Sequence, residues 1–183
     1  MAVGRHTREI CERLDRAIAD FRDGKSTYLV IMVPIRHGKS EIFSRHLPPH
    51  FLGLFPDEEV ILTGYGQKLV DDFSSDCRGL LRPPKYQELF PEVRISEESA
   101  AVAHWELQDH QGSFTATGLG GALTGRGYGL GICDDYHKDR DDAESPATRE
   151  SNWRAFTESF LTRAAPISLT LVGASPWNTD DII

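Results

Sequence analysis

The segment Val33-Pro-Ile-Arg-His-Gly-Lys-Ser40 places a lysine and a hydroxyl in tandem directly after a glycine. An apolar run precedes it and a helix-forming stretch follows, which is the setting a phosphate-binding loop requires. Backbone N–H groups around Gly38 and the helix start would face an anion. Lys39 would reach β- and γ-phosphates, and the Ser40 hydroxyl would ligate Mg²⁺. The candidate ATP-binding residues are therefore Pro34, Ile35, Arg36, His37, Gly38, Lys39 and Ser40. The motif departs from G-x-x-x-x-G-K-[ST] in one place, because Val33 stands where the first glycine is expected. Gly-Lys-Ser alone also occurs at ordinary helix starts, so its surroundings carry the assignment. Arg36, inside the loop, is a candidate γ-phosphate contact; the plainer reading is a surface ion pair worth at most about 1 kcal/mol.

Hydrolysis of ATP also needs a metal ligand and a group that acts on water. Asp134 and Asp135 end the apolar run that starts at Leu130. Asp134 is the candidate Mg²⁺ ligand and Asp135 the candidate group on the attacking water. Many phosphate-loop motors carry glutamate there, so the shorter Asp135 leaves Glu144 as a weaker substitute. Taken alone, two acids after a strand read better as a turn cap; the phosphate loop upstream favours the catalytic reading. Arg126 lies between Gly125 and Gly127, upstream of the acids, where backbone can approach closely. Ser175 and Asn178 follow the last apolar run, at the edge where α/β sheets bind ligands. They are candidates for sensing the γ-phosphate and relaying its loss, against the plain reading of a polar loop.

Other features read as structural. His46 and His50 are spaced as a metal pair on a helix would be, but Pro48-Pro49 is expected to break that helix. Trp105 and Trp153 read as core or helix-face packing. Asp139, Asp141 and Asp142 alternate with Lys138 and Arg140, as in a solvated loop.

These side chains need elements to hold them. Ile10, Leu14, Ala17, Ile18 and Phe21 recur at helical spacing and predict a helix over 7–23. The run 28–33 predicts a strand covered on both faces. A helix is expected from Lys39 to about Leu47, stopped by Pro48-Pro49. Residues 59–65 predict a second buried strand and 67–81 a helix ended by Pro83-Pro84. Residues 102–107 and 113–118 predict two short strands, and 130–135 a strand ending in acids. Ser145-Pro146 starts a helix running to about Arg163, and 167–172 is a further buried strand. Strands alternating with helices imply an α/β fold around a mostly parallel sheet.

Composition bounds the rest. The 183 residues suffice for one domain. A net charge of −8 argues against a surface that is basic overall, though not against a local basic patch. Cys11, Cys77 and Cys133 are widely spaced, so neither a zinc site nor a disulfide framework is implied. The charged N-terminus does not resemble a signal peptide, and no apolar run approaches membrane-spanning length. A cytoplasmic setting is expected.

Four segments together resemble one family, the terminase large subunits of tailed bacteriophages. Pro34 to Glu41 is similar to its deviant phosphate loop, and Gly118 to Gly127 to its glycine-rich approach to the acid-bearing strand. Asp134 to Ser145 is similar to its acids and the segment beyond, and Ser175 to Ile182 to its coupling motif. Order and spacing agree over roughly 25–183. The resemblance implies a three-layer P-loop NTPase sandwich of the ASCE type, with ATP and Mg²⁺ as cofactors. It implies double-stranded DNA, a portal protein and a small terminase subunit as partners, in a homo-oligomeric ring. The setting would be the host cytoplasm, at the procapsid portal, without membrane contact. Arg126 would correspond to an arginine supplied to the neighbouring subunit's ATP. The family's C-terminal RNase H-like nuclease domain has no counterpart within 1–183, so these residues are expected to be the ATPase domain of a longer protein and not to cut DNA. A helicase-like translocase and a small-molecule kinase are the alternative enzymes. A degenerate nucleotide-binding scaffold fits less well with Lys39, Ser40, Asp134 and Asp135 all in place.

Overall fold

A computed structural model describes residues 4–34, 36–123 and 125–175. Helix α1 (Arg5–Arg22) buries Ile10, Leu14, Ala17, Ile18 and Phe21, the residues whose spacing predicts it. Strand β1 (Thr27–Met32) leads into the phosphate loop. A helical stretch over 39–54 follows, made of a π turn at Glu41–His46 and helix α2 (Leu47–Leu54). Then come β2 (Glu59–Gly64), α3 (Gln67–Leu81), α4 (Pro84–Leu89), β3 (Ile95–Ala100), β4 (His104–Leu107) and β5 (Ser113–Gly118). Strand β6 (Tyr128–Asp134), α5 (Arg140–Glu144) and α6 (Pro146–Arg154) complete the approach to β7 (Ala164–Ala174), with a second π turn at Ala155–Phe160 between α6 and β7.

The seven strands form one sheet in the order β1-β7-β6-β2-β5-β4-β3. The first five in that order are parallel, and β4 and β3 add an antiparallel edge. Strand β7 sits between the phosphate-loop strand and the acid-bearing strand, the additional strand that defines the expected fold class. One apolar cluster packs α1, α2 and α3 on one face through Val60, Leu62, Leu130, Ile132, Leu169 and Leu171. A second packs Phe156 and Phe160 on the other face against Ile61, Cys133, Val172 and Ala174. Alternate residues of the central strands thus feed opposite layers, as the pleat demands. The fold is α/β with three layers.

Several expectations need correction. Strand β1 is covered on one face only among the described residues: Tyr28, Val30 and Met32 are 65%, 54% and 49% exposed. Among the described residues it lies at the end of the sheet and pairs only with β7. Pro48 and Pro49 do not stop the helix, which continues to Leu54. They occupy its first turn, where the π turn has already changed the bonding register from four residues to five: the Leu47 N–H reaches the Ile42 carbonyl. Prolines there remove donors that four-residue bonding would aim at the Ser44 and Arg45 carbonyls. The Cys77 thiol donates to those two carbonyls instead, at 3.1 and 3.4 Å. The helix is therefore continuous from His46 to His50, and the proline argument against a metal pair fails; His50 packs edge-on against Phe90. The acidic stretch after Asp135 is not a plain loop either, because Asp139 caps α5 by accepting from the Asp142 N–H. Strand β3 and helix α4 have no counterpart in the pattern. Trp105 is buried, stacked on Phe114, and donates to the Ser74 hydroxyl. Trp153 is half-exposed beside Phe156.

Candidate functional site

Because β1, β7, β6, β2 and β5 are parallel, their C-terminal ends share one edge of the sheet. That edge carries Met32, Ala174, Asp134, Gly64 and Gly118, and it is where open α/β sheets bind ligands. A cleft of about 440 Å³ opens there. Pro34, Arg36, His37, Gly38, Lys39, Ser40, Asp135 and Ser175 all line it. Ile35 and Asn178 lie outside the described residues.

The loop has the conformation that its glycine permits. Gly38 has φ +81°, and a Cβ there would meet nothing within 4 Å, so space stays open over the backbone. Arg36 also has a positive φ, 64°, a region that a non-glycine residue adopts at some cost. Past the loop the helix begins, with the Ile42 N–H donating to the Gly38 carbonyl at 3.1 Å.

Lys39 is 5% exposed. Its ammonium donates to Asp134 Oδ1 and lies 3.0 Å from Asp135 Oδ1. The phosphate-loop lysine and both strand-end acids thus form one charge cluster, with Lys39 and Asp134 buried and Asp135 partly exposed to the cleft. Asp134 is held on every side. Its second oxygen, Oδ2, accepts from the Ser44 hydroxyl at 2.6 Å. Its register partners on β2 and β7 are both glycines, Gly64 and Gly173. A Cβ on Gly64 would lie 2.7 Å from the Asp134 carbonyl oxygen, and one on Gly173 would meet Phe43 at 2.9 Å and Asp134 Oδ1 at 3.0 Å. No larger residue fits either place without moving Asp134.

Asp135 has φ +50°, which turns the chain sharply at the end of β6. Its N–H donates to the Gly173 carbonyl at 3.0 Å and its carbonyl accepts from the Tyr65 N–H at 2.9 Å. Burial holds its carboxyl above the ordinary aspartate range, and the neighbouring Asp134 charge adds to that; Lys39 and the Ser175 N–H pull the other way. Ser175 also ties the phosphate loop to β7, since its hydroxyl donates to the Val33 carbonyl at 3.4 Å.

Two candidates lie elsewhere. Glu144 does not line the cleft and accepts from Arg140 at 2.6 Å on the surface. Arg126 precedes β6, at the opposite end of the sheet. It contacts the His104 ring nitrogens at 2.6 and 3.0 Å and the Thr115 hydroxyl at 3.3 Å, beside a cavity of about 500 Å³. The length of β6 separates it from Asp134, roughly 20 Å at about 3.3 Å per residue.

The donor set fits a magnesium nucleotide. It offers an open glycine-based cradle, a buried ammonium, a hydroxyl at the helix start and a fixed carboxylate. Among the described residues no group of three or more His, Cys, Asp or Glu is arranged to hold a metal by itself. Mg²⁺ takes one or two protein ligands and completes its shell with water and phosphate, so Asp134 and the Ser40 hydroxyl would suffice to hold it.

Residues 30–168 match the family model described as terminase large subunit, T4likevirus-type, N-terminal. The chain belongs to this terminase family. The match takes in Lys39, Asp134 and Asp135. In fold the chain is similar to the HK97 bacteriophage large terminase, with a TM-score of 0.58 over 100% of this chain at 15% identity. It covers 35% of that terminase chain. Comparison with curated proteins gives no match. No helix among the described residues is long and apolar enough to cross a membrane.

Sequence pattern did not single out Ser44, Gly64 or Gly173. The glycines follow apolar runs at strand ends, a signal legible only once the strand order is known. Ser44 lies four residues after Ser40, one helical turn further along, which is the signal that could have found it.

Proposed function

We propose that this chain binds Mg-ATP in the cleft and hydrolyses it to drive double-stranded phage DNA into a procapsid. The observation that carries the reading is the Lys39–Asp134–Asp135 cluster at the mouth of the phosphate loop. Without nucleotide, the ammonium sits between two carboxylates that would otherwise repel each other and offsets part of their charge. With nucleotide, Lys39 would turn to the β- and γ-phosphates and release Asp134, which with Ser40 would hold Mg²⁺. Mg²⁺ held there would supply charge neutralisation on the phosphate oxygens. Asp135 orients the attacking water and takes its proton. Arg36 contacts the γ-phosphate from the loop. Arg126, remote from its own cleft, serves the ATP of the adjacent subunit in a homo-oligomeric ring. Ser175, bonded to both Val33 and Asp135, and Asn178 beyond it relay the loss of the γ-phosphate to the rest of the motor.

Membership of the terminase family supports the DNA, the portal and the small terminase subunit as partners, and the host cytoplasm at the portal as the setting. The test is Mg-dependent binding of a fluorescent ATP analogue. Lys39→Ala should weaken it at least tenfold and remove turnover. Binding and hydrolysis equal to the parent's would sink the assignment.

A further inference from the structure

Asp134 offers two oxygens, and only one is free to meet a metal. The Ser44 hydroxyl, fully buried on the π turn, donates to Oδ2 at 2.6 Å. Oδ1 faces Lys39, on the cleft side. Gly173 leaves the room that Oδ1 occupies, since a Cβ there would lie 3.0 Å from it. We infer that Ser44 is a positioning residue for the metal: it pins Oδ2 and thereby presents Oδ1 to Mg²⁺ when Lys39 turns to the phosphates.

Three observations support this beyond the bond itself. First, Ser44 stands one turn past Ser40 on the same helical stretch, so one element supplies a proposed metal ligand and fixes the other. Second, the π turn has a built support. The Ser44 carbonyl accepts from Cys77, whose thiol is held in its protonated form by burial. Third, the Ser44 hydroxyl has no solvent exposure and Asp134 has 1%, so water cannot take over the bond if it is lost. Groups that hold a ligand's second atom fix its orientation, and their loss typically costs about 10–100-fold in metal affinity.

The inference rests on the nucleotide reading above, so its test has two arms. In the first, binding of the fluorescent ATP analogue is titrated against Mg²⁺. Ser44→Ala should raise the Mg²⁺ half-saturation by about 10–100-fold, while affinity measured in a chelator stays at the parent's value. Ser44→Thr, which keeps the hydroxyl, should recover most of the shift. Cys77→Ala should lower the melting temperature and shift the Mg²⁺ half-saturation far less than Ser44→Ala does, separating damage to the helix from loss of the bond. An unchanged half-saturation in folded Ser44→Ala would overturn the inference, as would an equal loss with and without Mg²⁺. The second arm needs no nucleotide. Melting temperatures of Ser44→Ala, Asp134→Asn and the double variant should be non-additive by roughly 2–6 °C. Additivity there would show that Ser44 does not hold Asp134. If the parent binds no nucleotide yet the cycle is non-additive, the nucleotide reading fails and the Ser44–Asp134 coupling stands.

Discussion

Asp135 is the residue where function and stability pull apart. Burial and Asp134 both favour its protonated form, so the folded chain binds that proton more tightly than the unfolded chain does. The sign follows. The stability this group contributes is present below the ordinary aspartate range, about 3.9, and is lost as pH rises through the raised value. At neutral pH its ionised form therefore costs the ligand-free fold. Asp135→Asn should melt higher than the parent at pH 7, and the gap should close as pH falls below about 4. The same variant should keep nucleotide affinity and lose turnover, because an amide cannot take a proton from water. Glu144→Gln should change neither property, since Glu144 sits in an exposed pair with Arg140. Hydrolysis at parental rate in Asp135→Asn would move the role elsewhere, and a melting point below the parent's at pH 7 would contradict the charge argument.

At the scale of elements, the helix after the phosphate loop shows what pattern reading captures and what it does not. Its start was legible, because Gly38-Lys39-Ser40 follows an apolar strand. Its end was not, because the rule that two prolines stop a helix assumes that nothing else meets the carbonyls they leave behind. Here a residue 33 positions away in sequence meets them, and no local pattern contains Cys77. The same limit hid Gly64 and Gly173, whose meaning depends on which strands neighbour β6. It also made β1 look covered on both faces, since its apolar run does not report that β1 ends the sheet. By contrast α1, α3 and the strand ending in Asp134 were legible, because each carries its own periodicity or its own stop. The Cys77 account is testable. Cys77→Ala removes the thiol donor from one buried and one part-buried carbonyl and should cost about 2 kcal/mol, or roughly 4–8 °C in melting temperature. Cys77→Ser restores a donor of similar size and should lose less than half of that. Equal losses in the two variants would assign the cost to packing alone.

At the scale of the whole molecule, the sheet separates two ends with different chemistry. The phosphate loop, Asp134 and Asp135 lie where the parallel strands finish; Arg126 lies where they begin, held by His104 and Thr115. One chain cannot close that gap without unfolding β6, the most completely buried strand in the sheet. If Arg126 acts on ATP at all, it acts on a neighbour's. Guanidinium suits the task, being always charged and able to grip two phosphate oxygens at once. Glycines on both sides let the backbone around it adjust. An arginine supplied in trans can be worth roughly 10³–10⁵ in turnover, so an isolated chain should hydrolyse ATP slowly and Arg126→Ala should be nearly inert even when assembled. A mixing experiment separates this from a purely structural role at the β4–β5 edge. Arg126→Ala chains and Lys39→Ala chains are each combined alone and then together under conditions that force assembly. Each alone should be nearly inactive. The mixture should regain activity at interfaces where an intact Arg126 meets an intact Lys39, approaching about a quarter of the parent rate if subunits mix at random and each interface works independently. Co-assembly without any recovery would leave Arg126 as a packing residue of its own subunit.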